Sequence, residues 1–215
     1  MAKPKILFYD IETTPLKAWI WRLGKQQVFH DQLDEAYDRY DVICVTYCWN
    51  DGKPAKAIGW GYEDQDSSTI ITRFDELKKN ADVVIGQNSD NFDNRHMNTL
   101  RLWHGLKGEA EWTKYTDDLY KQIRKHFYLP SNKLDYLSQQ LGLGGKNSMC
   151  RQDWIDIVEQ NGRAGRQAYK KMLEYGKKDV EDTRAIWEYC SKHFEPKFNM
   201  ATKLHELACK NCVRS

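Results

Sequence analysis

The order of its apolar runs constrains this chain more than any other feature. Three strand-like stretches come first: Lys5–Tyr9, then Val42–Trp49 and Ala55–Trp60, the last two joined as an antiparallel hairpin by Asn50-Asp51-Gly52-Lys53-Pro54. Between the first and second, residues 16–40 alternate Trp, Ile and Trp and then turn polar and acidic, which predicts an irregular excursion or small hairpin. Ser67–Lys79 sets Ile70, Ile71, Phe74 and Leu77 at helical spacing behind a Ser cap and feeds a fourth strand, Asp82–Gly86. From Asp93 onward the spacing is helical, over Asp93–Trp103, Asp117–Phe127, Asn132–Leu141, Asp153–Glu159 and Gly165–Phe194, with glycines at 142, 144, 145 and 162 as interruptions. Early strands, a helical crossover into another strand, then helices predict an α/β fold with one mixed β-sheet flanked by helices.

A chain of 215 residues, 40% of them hydrophobic, can bury one sizeable core, so one domain with a short appendage is expected, without repeats or low-complexity linkers. Only Ile6-Leu7-Phe8-Tyr9 is apolar near the start, and no stretch approaches the roughly 20 apolar residues of a membrane span, which predicts a soluble, cytoplasmic protein with no signal segment. The six cysteines, Cys44, Cys48, Cys150, Cys190, Cys209 and Cys212, are too sparse for a secreted scaffold and are expected as reduced thiols. The net charge of +2 hides an asymmetry: residues 1–119 carry 15 Lys and Arg against 20 Asp and Glu, and residues 120–215 carry 18 against 11. An acidic half suits cations and a basic half suits phosphates, although two ordinary solvated surfaces would look the same.

Three clusters carry chemistry. Asp10 and Glu12 stand two apart at the end of the first strand, so both can project from one face, where they repel unless cations neutralise them. In Val83-Val84-Ile85-Gly86-Gln87-Asn88-Ser89-Asp90-Asn91-Phe92-Asp93, a buried strand stops at a Gly-polar loop and Asp93 opens a helix. Asp93 is an ordinary helix cap on the plainer reading, but an amide and an aromatic ring beside it, Asn88 and Phe92, suit a nucleotide's sugar and base. In Tyr175-Gly176-Lys177-Lys178-Asp179, a hydroxyl and a carboxylate four apart share one helix face.

In that order and spacing, Asp10-Ile11-Glu12-Thr13, the Gly86–Asp93 loop and Tyr175–Asp179 resemble motifs I, II and III of the DEDD exonucleases, a superfamily with a ribonuclease-H-like fold that includes polymerase proofreading domains. Position 174, five before Asp179, is Glu and not His, so the resemblance is to the Tyr subclass and to stand-alone relatives of family B polymerase proofreading domains, over roughly residues 5–195. It implies a domain spanning residues 1–196 with a tail at 197–215, and 3′→5′ exonuclease activity that releases nucleoside 5′-monophosphates from single-stranded DNA. It implies catalytic Asp10, Glu12, Asp93, Tyr175 and Asp179, with two divalent ions roughly 4 Å apart activating water and neutralising phosphoryl charge. Hard oxygen ligands favour Mg²⁺ or Mn²⁺. By the same resemblance Asp10 bridges both metals, Glu12 and Asp179 serve the one that activates water, Asp93 holds the other, and Tyr175 positions the water. Ile11, Thr13, Asn88 and Phe92 would bind the terminal nucleotide. A polymerase or another replication or repair protein is the kind of protein partner this implies, with oligomeric state open.

Single-strand binding combines basic grooves with stacking aromatics, for which Trp19, Trp21, Arg163, Arg166, Lys170 and Lys171 are candidates. Core packing for the tryptophans and a solvated face for the cations are the preferred readings. His205-x₃-Cys209-x₂-Cys212 resembles half of a structural Zn²⁺ site, whose plainer reading is a terminal helix bearing free thiols. Competing functions are a 3′→5′ exoribonuclease, a nucleic-acid-binding domain without activity, and an endonuclease of the same fold. Intact acids in all three motifs weigh against the idle domain, and an endonuclease gives Tyr-x-x-x-Asp no role.

Overall fold

A computed structural model describes residues 4–107, 115–144 and 148–194. Its centre is a sheet of five strands, β1 (Ile6–Thr13), β2 (Val42–Trp49), β3 (Lys56–Gly59), β4 (Val83–Gly86) and β5 (Tyr115–Asp118), in the order β3-β2-β1-β4-β5. β1, β2 and β3 are successively antiparallel, while β4 lies parallel to β1 and β5 parallel to β4. The flanking helices are α1 (Ser68–Lys79), α2 (Asp93–Trp103), α3 (Leu119–His126), α4 (Leu134–Gln140), α5 (Arg151–Val158) and α6 (Gly162–Cys190). The expected mixed α/β sheet of ribonuclease-H-like type is what forms.

Alternation along β1 explains the layers. Leu7, Tyr9 and Ile11 pack with Phe74 of α1 and with Met97 and Leu100 of α2. Ile6 and Phe8 pack with Leu119, Ile123, Val180 and Trp187 on the other face. Asp10 and Glu12 share the parity of Phe8 and so point toward the α6 side. The buried stripe of α6, Gly165, Ala168, Met172, Gly176, Val180, Thr183 and Ile186, recurs at helical spacing. Burying Met172, Val180 and Ile186 contributes about 1.5–3 kcal/mol each, enough to seat a Lys-rich helix on the sheet. α6 then follows β2: the Thr46 hydroxyl donates to the Gly176 carbonyl at 2.9 Å, and Arg184 donates to the Trp49 carbonyl at 3.0 Å. A Cβ on Gly176 would lie 2.8 Å from Thr46 Cγ2, so glycine is what lets the helix come this close.

Three expectations are corrected. β1 extends to Thr13 because it stays laddered to β2, so Asp10 and Glu12 lie inside the strand and not beyond it. Residues 115–118 form a strand where a helix was expected to begin at Asp117; their polar Thr-Asp-Asp reads poorly as strand, and pairing with β4 supplies the ladder. Trp19 and Trp21 are not core residues, being 66% and 89% exposed. They sit on the expected excursion, which returns as a small hairpin: Ala18 bridges Leu33, and the Trp19 N–H donates to the Gln32 carbonyl at 2.8 Å. Arg163, Arg166, Lys170 and Lys171 do form a solvated face, two of them in ion pairs, Arg166 with Glu63 and Lys171 with Asp153. Cys44, Cys48, Cys150 and Cys190 are free thiols, whereas His205, Cys209 and Cys212 lie outside the described residues. Among the described residues no helix is long and apolar enough to cross a membrane.

Candidate active site

One strand and one helix bring three of the acids together. Asp10 and Glu12 project from β1, Asp179 faces them from α6, and one oxygen from each of the three lies within 4.8 Å of the others, a grouping that could hold a metal ion. Tyr175, one turn before Asp179, sets its hydroxyl close enough to that carboxylate for each to shift the titration of the other. The helix is locked in rotation here, since Gly176 between them is the residue pressed on Thr46, the β2 partner of Asp10.

Asp93 arrives by another route. β4 pairs with β1 only as far as Phe8, leaving later β1 amides on that side without a strand partner. The Asp93 carboxylate fills the gap, accepting the Ile11 N–H at 3.1 Å. Asp93 is thus the first helical residue of α2 and no simple cap, because the cap position belongs to Phe92 and the carboxylate turns to the sheet. Its side chain is buried, and its charge is the second largest influence on Asp10, after burial.

Crowding acids out of water penalises their ionised forms. Burial, then Asp93, Glu12 and Asp179, push Asp10 well above its usual range. Burial and then the charge of Asp179 push Glu12 up to about 8. Burial raises Asp93 to about 7 against the pull of backbone N–H donors, and Asp179 to about 6 against the Tyr175 hydroxyl. Burial also raises Tyr175, which stays a protonated donor at neutral pH. Lys178 pairs with Asp182 and not with this cluster, and Asp182 in turn accepts the Ser138 hydroxyl at 3.0 Å. The carboxylates of Asp10, Glu12 and Asp179, in no ion pair with a cation among the described residues, could hold a metal ion, and hard oxygen donors of this kind suit hard cations.

The nucleotide-binding candidates divide. The Ile11 side chain is buried in the core and its N–H is committed to Asp93, while Thr13 lies half-buried at the end of β1. Asn88 adopts a left-handed conformation (φ 61°) and its carbonyl accepts the N–H groups of Asn91 and Phe92. Phe92 is 40% exposed, with its ring 4.5 Å from that of His96.

Asp118 went unnoticed in the sequence. Buried at the end of β5, it accepts the Asn88 N–H at 2.9 Å and the Asp90 N–H at 3.2 Å while capping α3 through Tyr120 and Lys121. One carboxylate therefore shapes the loop that leads to Asp93. With the helix expected to begin at Asp117, neither the capping of α3 by Asp118 nor its reach to the loop after β4 was foreseen. Asp118→Ala should cost about 2–4 kcal/mol in urea unfolding, while Asp118→Asn, which keeps one acceptor oxygen, should cost less than half of that. Equal losses for the two would refute a role based on accepting these donors.

No family model and no curated protein matches the chain. A solved structure does: the family B DNA polymerase from the hyperthermophilic archaeon Pyrobaculum calidifontis is similar over 88% of this chain, with a TM-score of 0.64 and 17% identity. The likeness is one of fold. The matched region is 25% of that polymerase, so this chain corresponds to about a quarter of its length.

Proposed function

We propose that the protein is a 3′→5′ exonuclease of the Tyr subclass of DEDD enzymes, acting on single-stranded DNA ends. The observation that carries this reading is the convergence of Asp10, Glu12 and Asp179 within 4.8 Å, with Tyr175 one turn before Asp179 on the same helix and Asp93 anchored by the Ile11 amide. The motif resemblance points to proofreading domains of family B polymerases, and the fold likeness, which does not depend on those motifs, is to a family B polymerase.

Asp10, Glu12, Asp93 and Asp179 would hold divalent ions, whose chemistry is to lower the pKa of water and neutralise charge on the phosphoryl oxygens. The protonated Tyr175 hydroxyl would orient the attacking water. Attack at phosphorus breaks the bond to the 3′ oxygen, leaving a free 3′ hydroxyl on the shortened strand and releasing a nucleoside 5′-monophosphate. Asn88 and Phe92, on the loop before Asp93, would bracket the terminal nucleotide. A duplex end must fray to reach such a pocket, which favours single strands.

The test is stepwise shortening of a 5′-labelled single strand with Mg²⁺ or Mn²⁺, run beside RNA of the same sequence and a circular single strand. Cleavage of the circle, or no metal-dependent hydrolysis, contradicts the proposal; preference for RNA selects the exoribonuclease reading. Tyr175→Phe removes only the hydroxyl, so kcat should fall on the order of 10²-fold while KM stays nearly constant. A parallel rise in KM would assign Tyr175 to packing instead.

A further inference from the structure

The excursion between β1 and β2 exposes what a globular protein normally hides. Trp19, Trp21, Leu23 and Phe29 are 66%, 89%, 97% and 59% exposed, and every residue from 19 to 31 is on the surface. So many large apolar side chains exposed along one short segment of a folded chain mark an interaction site. Charge narrows the partner: between Glu12 and Asp31 there is no acid, while Lys17, Arg22 and Lys25 interleave with the aromatics. Lys17 is committed to Glu159 at 3.3 Å, whereas Arg22 and Lys25 make no ion pair among the described residues. Interleaved cations and exposed rings are the combination that binds phosphates and stacks bases of single strands.

Position points the same way. The excursion is rooted two residues beyond Glu12, where the Thr14 N–H donates to the Asp41 carbonyl at 2.9 Å and the Asp41 N–H donates to the Thr14 hydroxyl at 2.8 Å. From that root an aromatic series leads back to the acids: the Tyr40 ring is 5.1 Å from His96, and His96 is 4.5 Å from Phe92, the neighbour of Asp93. Four clustered carboxylates repel a polyanion, so a site of this kind gains from cations and stacking surfaces just outside it.

We propose that residues 19–29 form an arm that grips single-stranded nucleic acid ahead of the terminal nucleotide, bases stacking on Trp19 and Trp21 and phosphates pairing with Arg22 and Lys25. This rests on the exonuclease reading for its direction, but its own test is binding. Binding of a labelled dodecathymidylate to the full chain carrying Asp179→Ala, which blocks turnover, is followed by fluorescence anisotropy. Adding Trp19→Ala and Trp21→Ala should weaken the affinity about tenfold or more. Adding instead Arg22→Gln and Lys25→Gln should make the plot of log Kd against log salt shallower by about 1.4, the contribution of two single-strand phosphate contacts. Unchanged affinity and slope would overturn the arm, as would loss of binding to anionic phospholipid vesicles with oligonucleotide binding intact. Arm-dependent binding by a chain that, with Asp179 restored, hydrolyses nothing would strike the exonuclease proposal and leave the arm. Hydrolysis with arm-independent binding would do the reverse.

Discussion

Asp10→Ala or Asp179→Ala should lower metal-dependent hydrolysis by on the order of 10³-fold or more, with little loss of fold. Both carboxylates belong to the three that converge within 4.8 Å. A correctly held divalent ion supplies several kcal/mol of stabilisation to the charge that develops on phosphorus oxygens, and each 1.36 kcal/mol is about tenfold in rate. Neither side chain supports the core: Asp10 points away from the Leu7, Tyr9 and Ile11 face, and Asp179 lies beside the buried stripe of α6. Removing either acid also relieves repulsion, so thermal stability without metal should hold or rise while activity disappears. Single-turnover rates and melting curves on the same preparations check both halves. Activity within tenfold of the unaltered chain would remove these residues from the reaction.

The second large effect concerns pH and metal together. Ordinary carboxylates titrate near pH 4, whereas Glu12, Asp93 and Asp179 titrate in the folded protein near 8, 7 and 6. Between those limits the folded chain holds more protons than the unfolded one, so stability must fall as pH rises. The contribution is complete below about pH 4 and is lost through pH 6–8. Without metal, the loss between pH 5 and pH 8 should amount to several kcal/mol, at least about 10 °C in Tm for a domain of this size. Divalent ions take the place of the protons, so Mg²⁺ or Mn²⁺ should restore Tm at pH 8 and do little at pH 5. Asp66 does not confuse this window, since the Ser68 hydroxyl and N–H hold it below the usual range and its contribution fades only in stronger acid. Glu12→Gln should flatten the profile in chelator. A Tm in chelator that is level or rising from pH 5 to 8 would show that the acids are not crowded as described.

Much of this arrangement could be read from the chain. The strands before Asp93 and the amphipathic α1 were legible because alternation and 3.6-residue spacing are local and each apolar residue meets the core. Asp10 and Glu12 were recognisable on one face for the same reason, as were Tyr175 and Asp179 on one turn. β5 was not legible, because four residues ending in two acids become a strand only when β4 offers a ladder. The exposed tryptophans were misread as core because composition favours burying Trp, and nothing local says that residues 19–31 find no surface to pack against.

By itself the sequence singled out the groups proposed to carry the chemistry: two acids on a strand, one opening a helix, and a tyrosine and acid one turn apart, each set by backbone periodicity. Only the tertiary structure decided that they meet. Asp93 reaches the cluster because β4 stops short and leaves the Ile11 N–H to be satisfied by a side chain 82 residues away. Asp179 reaches it because Gly176 lacks the Cβ that would hold α6 off Thr46. Asp118, on the last strand of the sheet, shapes the loop that leads to Asp93. These contacts span long stretches of chain, and long-range packing and unsatisfied backbone donors have no signature in local sequence.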